Sequence, residues 1–326
     1  MSTIISARNL SIELPAAGHA RPVLHRVSLD VEVGSCLGIV GESGSGKSLL
    51  SRALLGAFPD DAEIEGSLTV SGVDVTSAPA AMIRTLRQND VAMIYQDPRA
   101  SINAVHRIGD FLTEGVVTSS QLSASEARTR AEQLLERMRL QNPSEIMRRY
   151  PDELSGGMLQ RVMIAGALMA NPSILLCDEA TTALDVTTQA EIVALLRELR
   201  TELGVTLIFV THDLELAGEL SDTLCVLYAG EVMELGPTAA VLDAPRHPYT
   251  AALLESTPRL TGDASAALPS IPGVVLPVTS SAPGCVFADR CRFATTACSS
   301  GPIALRHVDA GRSSRCVLDT VSEVQS

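Results

Sequence analysis

Short apolar runs, each closed by polar residues, recur along this chain. CLGIV (36–40), VAMIYQDP (91–98), SILLCDEA (173–180) and VTLIFVTHD (205–213) are each long enough for one buried strand and too short for much else. The pattern therefore predicts an α/β core whose strand ends deliver Gln96, the pair Asp178 and Glu179, and His212. In parallel α/β sheets that edge is where ligands bind. Helical spacing appears between the runs. SLLSRALLG follows the first strand, and ASEARTRAEQLLERMRL (124–140) sets apolar positions among charges as a surface helix packed on one side does, until Asn142 and Pro143 interrupt it.

The segment joining the first strand to its helix is GESGSGKS (41–48). Its glycines let the backbone turn back tightly, so that successive amides face one concavity that suits anions. Gly41, Glu42, Ser43, Gly44, Ser45 and Gly46 would form that cradle, and Lys47, Ser48 and Leu49 open the helix. Phosphates would then sit at a helix N-terminus, where free amides and the macrodipole favour negative charge. Lys47 would reach the β and γ phosphates, and the Ser48 hydroxyl would ligate Mg²⁺. An acidic pair after a strand is more often a cap or a solvated turn, but a preceding phosphate loop changes its meaning. Asp178 would hold the Mg²⁺ through water, and Glu179 would orient or deprotonate the attacking water. The Gln96 amide can meet both metal and water, and His212 is placed as a γ-phosphate sensor.

These residues resemble one family over nearly the whole chain: the ATP-binding subunits of ABC transporters, specifically the oligopeptide and dipeptide importer group. The resemblance is carried by the Walker A loop at 41–48, the Q-loop at Gln96, the signature LSGGM at 154–158, Walker B with Asp178 and Glu179, the D-loop ALD at 183–185 and the switch histidine His212. YQDPRASIN, YPDELSGGMLQRVMIAGAL and TTALDVTTQAEI are similar to the peptide-importer branch in particular. It implies a P-loop NTPase of ABC type, with a mixed sheet core, an antiparallel β subdomain and a helical subdomain. It also implies that two ATPase domains pack head to tail. The amides of Ser155, Gly156 and Gly157 would then bind the γ-phosphate held by the partner's lysine, and Asp185 would belong to the same joint. The plainer reading of Ser155 is a helix N-cap, and both readings are compatible.

Two positions depart from the family pattern. No tyrosine or phenylalanine precedes Phe58, so the first strand, ARNLSIELP, offers Leu14 or a neighbour where many members stack an aromatic ring on adenine. Losing such a stack costs about 1 kcal/mol. Ala180 stands where proline usually follows the catalytic acid, and it contributes no functional group.

The resemblance also sets the domain plan: an ATPase domain at 1–243 with its helical subdomain at about 97–165, then a C-terminal extension at 244–326. In the family the helical subdomain receives a coupling helix of the membrane subunit, which makes 96–111 the expected permease contact. RHPYT (246–250) matches the start of the peptide-importer extension, with Pro245 and Pro248 interrupting the chain before a further apolar helix. A loop rich in small residues, proline and glycine spans 261–283. Beyond it lie Cys285, Cys291, Cys298 and Cys316, four of the seven cysteines. The spacing lacks paired CxxC knuckles. Some family members hold a four-iron four-sulfur (4Fe-4S) cluster on this pattern, which four thiolates suit; zinc and plain reduced thiols are the alternatives. Cys36, Cys177 and Cys225 sit in apolar runs and read as core.

Composition narrows the setting. The 326 residues are 46% hydrophobic, yet no apolar run approaches the roughly 20 residues that cross a bilayer. The N-terminus lacks a basic segment followed by a long apolar one. A net charge of −13 disfavours adhesion to nucleic acid or anionic lipid. The expectation is a peripheral protein at the cytoplasmic face of the membrane, attached through two permease subunits, paired with itself or a related ATPase, and supplied by an extracellular binding protein. Import of nickel, opines or glutathione is the alternative substrate class. A DNA- or ribosome-directed ABC ATPase and a non-hydrolysing subunit are the rivals from other classes.

Overall fold

The computed structural model of the chain describes residues 2–16, 19–182, 184–257, 270–277, 283–309 and 311–319. Ala183 of the D-loop and most of the small-residue loop at 261–283 lie outside the described residues. The chain divides into two compact units: Met1–Ser2 with Glu32–Ser35 and Ser77–Val210, and Thr3–Val31 with Cys36–Thr76 and Thr211–Ser326.

In the first unit the strand Val91–Ile94 pairs in parallel with Ile174–Asp178, which pairs in parallel with Thr206–Thr211. Every residue of the latter two strands is buried. That explains why they read as continuous apolar runs: a strand covered on both faces has no solvent side to alternate with. Cys177 is fully buried among them. The same unit holds the helices Ile108–Thr118, Ala124–Arg137 and Gly156–Ala167, with shorter turns between them. Ala124–Arg137 starts in a capping box. The Glu126 amide donates to Ser123 Oγ at 3.3 Å, and Glu126 Oε2 accepts from the Ser123 amide at 2.9 Å. The interruption expected at Asn142 takes the form of a left-handed residue, φ 54°, before the short helix Pro143–Ile146.

The second unit holds two sheets. In one, the strands run His19–Glu32, Thr3–Ala16, Glu63–Val70 and Val73–Asp74 in that order, with Thr3–Ala16 antiparallel to Glu63–Val70. In the other, Cys36–Val40 pairs in parallel with Thr223–Tyr228, and Glu231–Pro237 returns antiparallel to that strand. Two tail strands, Arg312–Ser314 and Arg306–Asp309, extend this sheet antiparallel. A buried ion pair pins the tail there: Arg312 Nη2 donates to Glu234 Oε1 at 2.7 Å, with the two side chains 4% and 0% exposed. Glu234 also accepts from the amides of Arg246 and His247, which satisfies the buried carboxylate from three sides.

Candidate functional site: a phosphate loop, an acid pair and a signature helix

The buried strand Cys36–Val40 ends at Gly41, and the helix Lys47–Leu54 opens six residues later. Gly41 has φ 152°, and a Cβ there would overlap the Leu227 carbonyl oxygen, so only glycine fits between strand and loop. Lys47 is 4% exposed and curls back over the loop. Its Nζ donates to the carbonyl oxygens of Gly41 at 2.7 Å and Glu42 at 3.0 Å. Ser45 is buried, while Ser43, Gly44 and Ser48 face solvent. The result is an exposed rim of backbone with a cation beneath it, suited to a polyphosphate.

In the other unit, Asp178 closes the strand Ile174–Asp178 and is 8% exposed. Glu179 follows in a left-handed conformation, φ 49°, which is uncommon for a residue with a side chain. Contacts from the ends of two neighbouring strands and from the following turn hold it there. Its amide donates to the Val210 carbonyl at 2.9 Å, Gln96 Nε2 donates to its Oε2 at 3.1 Å, and Thr182 Oγ1 donates to the same oxygen at 3.3 Å. The structure thus brings together two of the polar residues read separately from strand ends, Gln96 and Glu179. His212 is exposed, directly after the strand Thr206–Thr211, and Asp213 beside it caps the helix Leu214–Leu220 through the amides of Glu215 and Leu216.

The signature behaves as its N-cap reading predicts. Ser155 Oγ accepts from the Met158 amide at 3.3 Å, and the helix Gly156–Ala167 begins there with Ser155 exposed. Asp185 caps the helix Val186–Leu203 in the same way: Oδ1 accepts from the Thr188 amide at 3.0 Å and Oδ2 from Thr188 Oγ1 at 2.7 Å. Those bonds, led by the Thr188 amide, lower the Asp185 pKa from its ordinary value. The same Thr188 lies against Gly157, where a Cβ would meet Thr188 Cγ2 at 2.9 Å. One threonine therefore ties the D-loop to the glycine pair of the signature.

Three cysteines lie in the core, as their apolar runs predict. Cys36, Cys177 and Cys225 are fully buried, and burial pushes the Cys225 thiol up to about 12. Cys285, Cys291, Cys298 and Cys316 line one small pocket together with His247. Burial pushes the Cys285 thiol up to about 12, with each of the other three thiols adding to the rise. Among the described residues, no three or more His, Cys, Asp or Glu side chains are gathered as a metal-ion site. His247 is 1% exposed, and its Nδ1 accepts from the Tyr249 amide at 3.0 Å.

Sequence reasoning missed the residues that hold the phosphate loop from outside it. Tyr249 Oη accepts from the Glu42 amide at 2.9 Å, and Arg290 pairs with the Glu42 carboxylate. The only signal was a single arginine inside GCVFADRC, which looks like any solvated charge.

Comparisons with known proteins agree with this geometry. The family model described as ABC transporter matches residues 24–182, and that described as oligopeptide/dipeptide transporter, C-terminal region, matches 233–298. A putative peptide import ATP-binding protein of Brucella abortus is 40% identical over 314 residues, 96% of this chain and 94% of that protein. The oligopeptide transport ATP-binding protein OppD of Escherichia coli is 37% identical over 313 residues, 96% of this chain and 92% of that protein. Among solved structures, a dimeric ATP-binding cassette in a post-hydrolysis state bound to ADP and Pi superposes with a TM-score of 0.64. It is 26% identical and covers 72% of this chain and 98% of that one. This chain belongs to the ABC transporter ATPases, in the oligopeptide and dipeptide group of ATP-binding subunits.

Proposed function

We propose that this chain hydrolyses ATP to drive import of peptides or a similar small solute. It would work as one of two ATPase subunits beneath two permease subunits, at the cytoplasmic face of the membrane, with an extracellular binding protein delivering the solute. The observation that carries the catalytic half is Glu179, held left-handed by Gln96 and Thr182 directly after a buried Asp178. Strain of this kind persists only where surroundings enforce it, and it collects at working sites. The names of the relatives support peptides as cargo, and the match over 233–298 supports the importer branch.

In this reading Gly41–Ser48 amides and Lys47 hold the phosphates, and Ser48, Asp178 and Gln96 would hold Mg²⁺, which neutralises charge on the phosphates. Glu179 takes a proton from water as the water oxygen bonds to the γ-phosphorus. The bond from that phosphorus to the β-γ bridging oxygen breaks, leaving ADP and phosphate. His212 contacts the γ-phosphate. The Ser155, Gly156 and Gly157 amides of one ATPase close over the nucleotide held by the other, since phosphoryl transfer depends mainly on positioning and charge. The domains follow the same plan, with 1–243 as the ATPase, its helical part at 97–165 meeting the permease through 96–111, and 244–326 as the extension.

The extension would carry a 4Fe-4S cluster on Cys285, Cys291, Cys298 and Cys316. In support, the four cysteines line one pocket, where burial, and to a lesser degree the neighbouring thiols, raise the thiols of Cys285, Cys291 and Cys316, and a cationic centre would relieve both effects. For the ATPase, the direct test is Glu179→Gln in the assembled transporter. Hydrolysis should fall at least about 100-fold, as expected for loss of a positioned base; a rate equal to the parent's would remove Glu179 from the chemistry.

A further inference from the structure

Glu42, the second residue of the phosphate loop, is fixed through every polar group it has. Its carbonyl accepts from the Lys47 ammonium at 3.0 Å and the Ser45 amide at 3.2 Å, both within the loop. Its amide and carboxylate are held by residues more than 200 positions later in the chain. Tyr249 Oη accepts from the amide, and Arg290 grips the carboxylate with both fork nitrogens, Nη1 to Oε2 at 2.7 Å and Nη2 to Oε1 at 3.1 Å.

Arg290 is itself locked. Its side chain is 5% exposed, its Nε donates to the Pro272 carbonyl at 2.9 Å, and its Nη1 also reaches Tyr228 Oη at 3.3 Å. The guanidinium lies over the rings of Tyr228 and Phe287, 5.6 and 5.8 Å from their centres. Those rings pack with Tyr249 in a buried aromatic cluster, its centroids 4.7 to 5.4 Å apart. A guanidinium stays charged at any working pH, so the pairing with Glu42 is permanent. A planar, bidentate, ring-stacked arginine is a device that lysine does not reproduce.

A phosphate loop needs amides and a lysine, not a carboxylate. Left alone, Glu42 would set a negative charge in a cradle meant for anions. Bound to Arg290, it becomes a handle: the charge is cancelled and the backbone on either side is held in its anion-binding shape before nucleotide arrives. Arg290 stands immediately before Cys291, and Cys285 and Cys291 pack against the same aromatic cluster.

We propose that Arg290 of the C-terminal extension is a positioning residue for nucleotide binding, acting through Glu42 to neutralise and brace the phosphate loop. The proposal rests on residues 41–48 being the ATP-binding loop. Because the interaction exists before and throughout the reaction, its loss should raise KM and leave kcat nearly unchanged.

The test compares R290M, R290K, E42Q and the double variant R290M/E42Q. It measures Mg-ADP affinity of the full-length chain and the KM and kcat for ATP of the assembled transporter. R290M should weaken Mg-ADP binding about tenfold, within the coupling range of contacting residues. R290K, which keeps the charge and loses the fork, should fall between it and the parent. E42Q added to R290M should recover affinity, because the carboxylate left unpaired is then gone; a purely structural loss would deepen instead. R292M, which breaks an exposed pair with Glu255 and a ring contact with Phe293 and touches neither Glu42 nor Tyr249, should bind as the parent does. Parent-like affinity in both R290M and R290K, or a double variant weakened by the product of the two single losses, overturns the proposal. Unchanged binding on Lys47→Ala would instead overturn the underlying assignment of the loop.

Discussion

Gly41 shows how much one residue can specify. The spacing of glycines, lysine and serine announces a phosphate loop, but the conformation that makes Gly41 irreplaceable, φ 152° against the Leu227 carbonyl, comes from a strand far along the chain. Gly41→Ala should cost roughly 2 kcal/mol or more of stability, from backbone strain plus overlap. Gly44→Ala, at φ 78° with open space around it, should cost about 1 kcal/mol. Urea unfolding midpoints of the two variants check the order, and equal losses would contradict it. The other site residues divide along the same line. The positions of Asp178, Glu179 and His212 at strand ends, and of Lys47 at a helix start, were legible because residue type beside an apolar run is local information. The left-handed turn of Glu179, the Thr188 link between Asp185 and Gly157, and the grip of Arg290 on Glu42 were not, since each depends on which distant segments meet.

At the scale of elements, the strands covered on both faces were the easiest to read. CLGIV matches its strand residue for residue, and the apolar core of SILLCDEA is the strand Ile174–Asp178. The helix Ala124–Arg137 announced itself through spacing, with Ser123 and Glu126 marking its start. The strands His19–Glu32 and Glu63–Val70 were not legible, because half-exposed strands carry weaker patterns. Nor were the tail strands, which are short and charged and owe their place to the buried pair of Glu234 and Arg312. The four-cysteine pocket belongs to this scale, since 3-10 turns and loops, not regular elements, bring its thiols together. Protein purified without oxygen should contain about four iron atoms per chain and absorb in the visible. Cys298→Ser should lose most of both. Zinc without iron would contradict the cluster, and the absence of both metals would contradict any metal at the pocket.

For the whole molecule, the helix Gly156–Ala167 begins at an exposed Ser155 whose Oγ caps it through the Met158 amide. No helix among the described residues is long and apolar enough to cross a membrane, and the net charge of −13 gives no attraction to anionic lipid. In the head-to-tail pairing proposed above, Ser155 of one subunit closes over the nucleotide held by the other. The most direct test of that account is ATP hydrolysis by a preparation shown by light scattering to be monomeric, set beside the assembled transporter. Negligible turnover by the monomer, and loss of the transporter's activity on Ser155→Ala, is the predicted result. Full turnover by the monomer, unaffected by replacing Ser155, would contradict it.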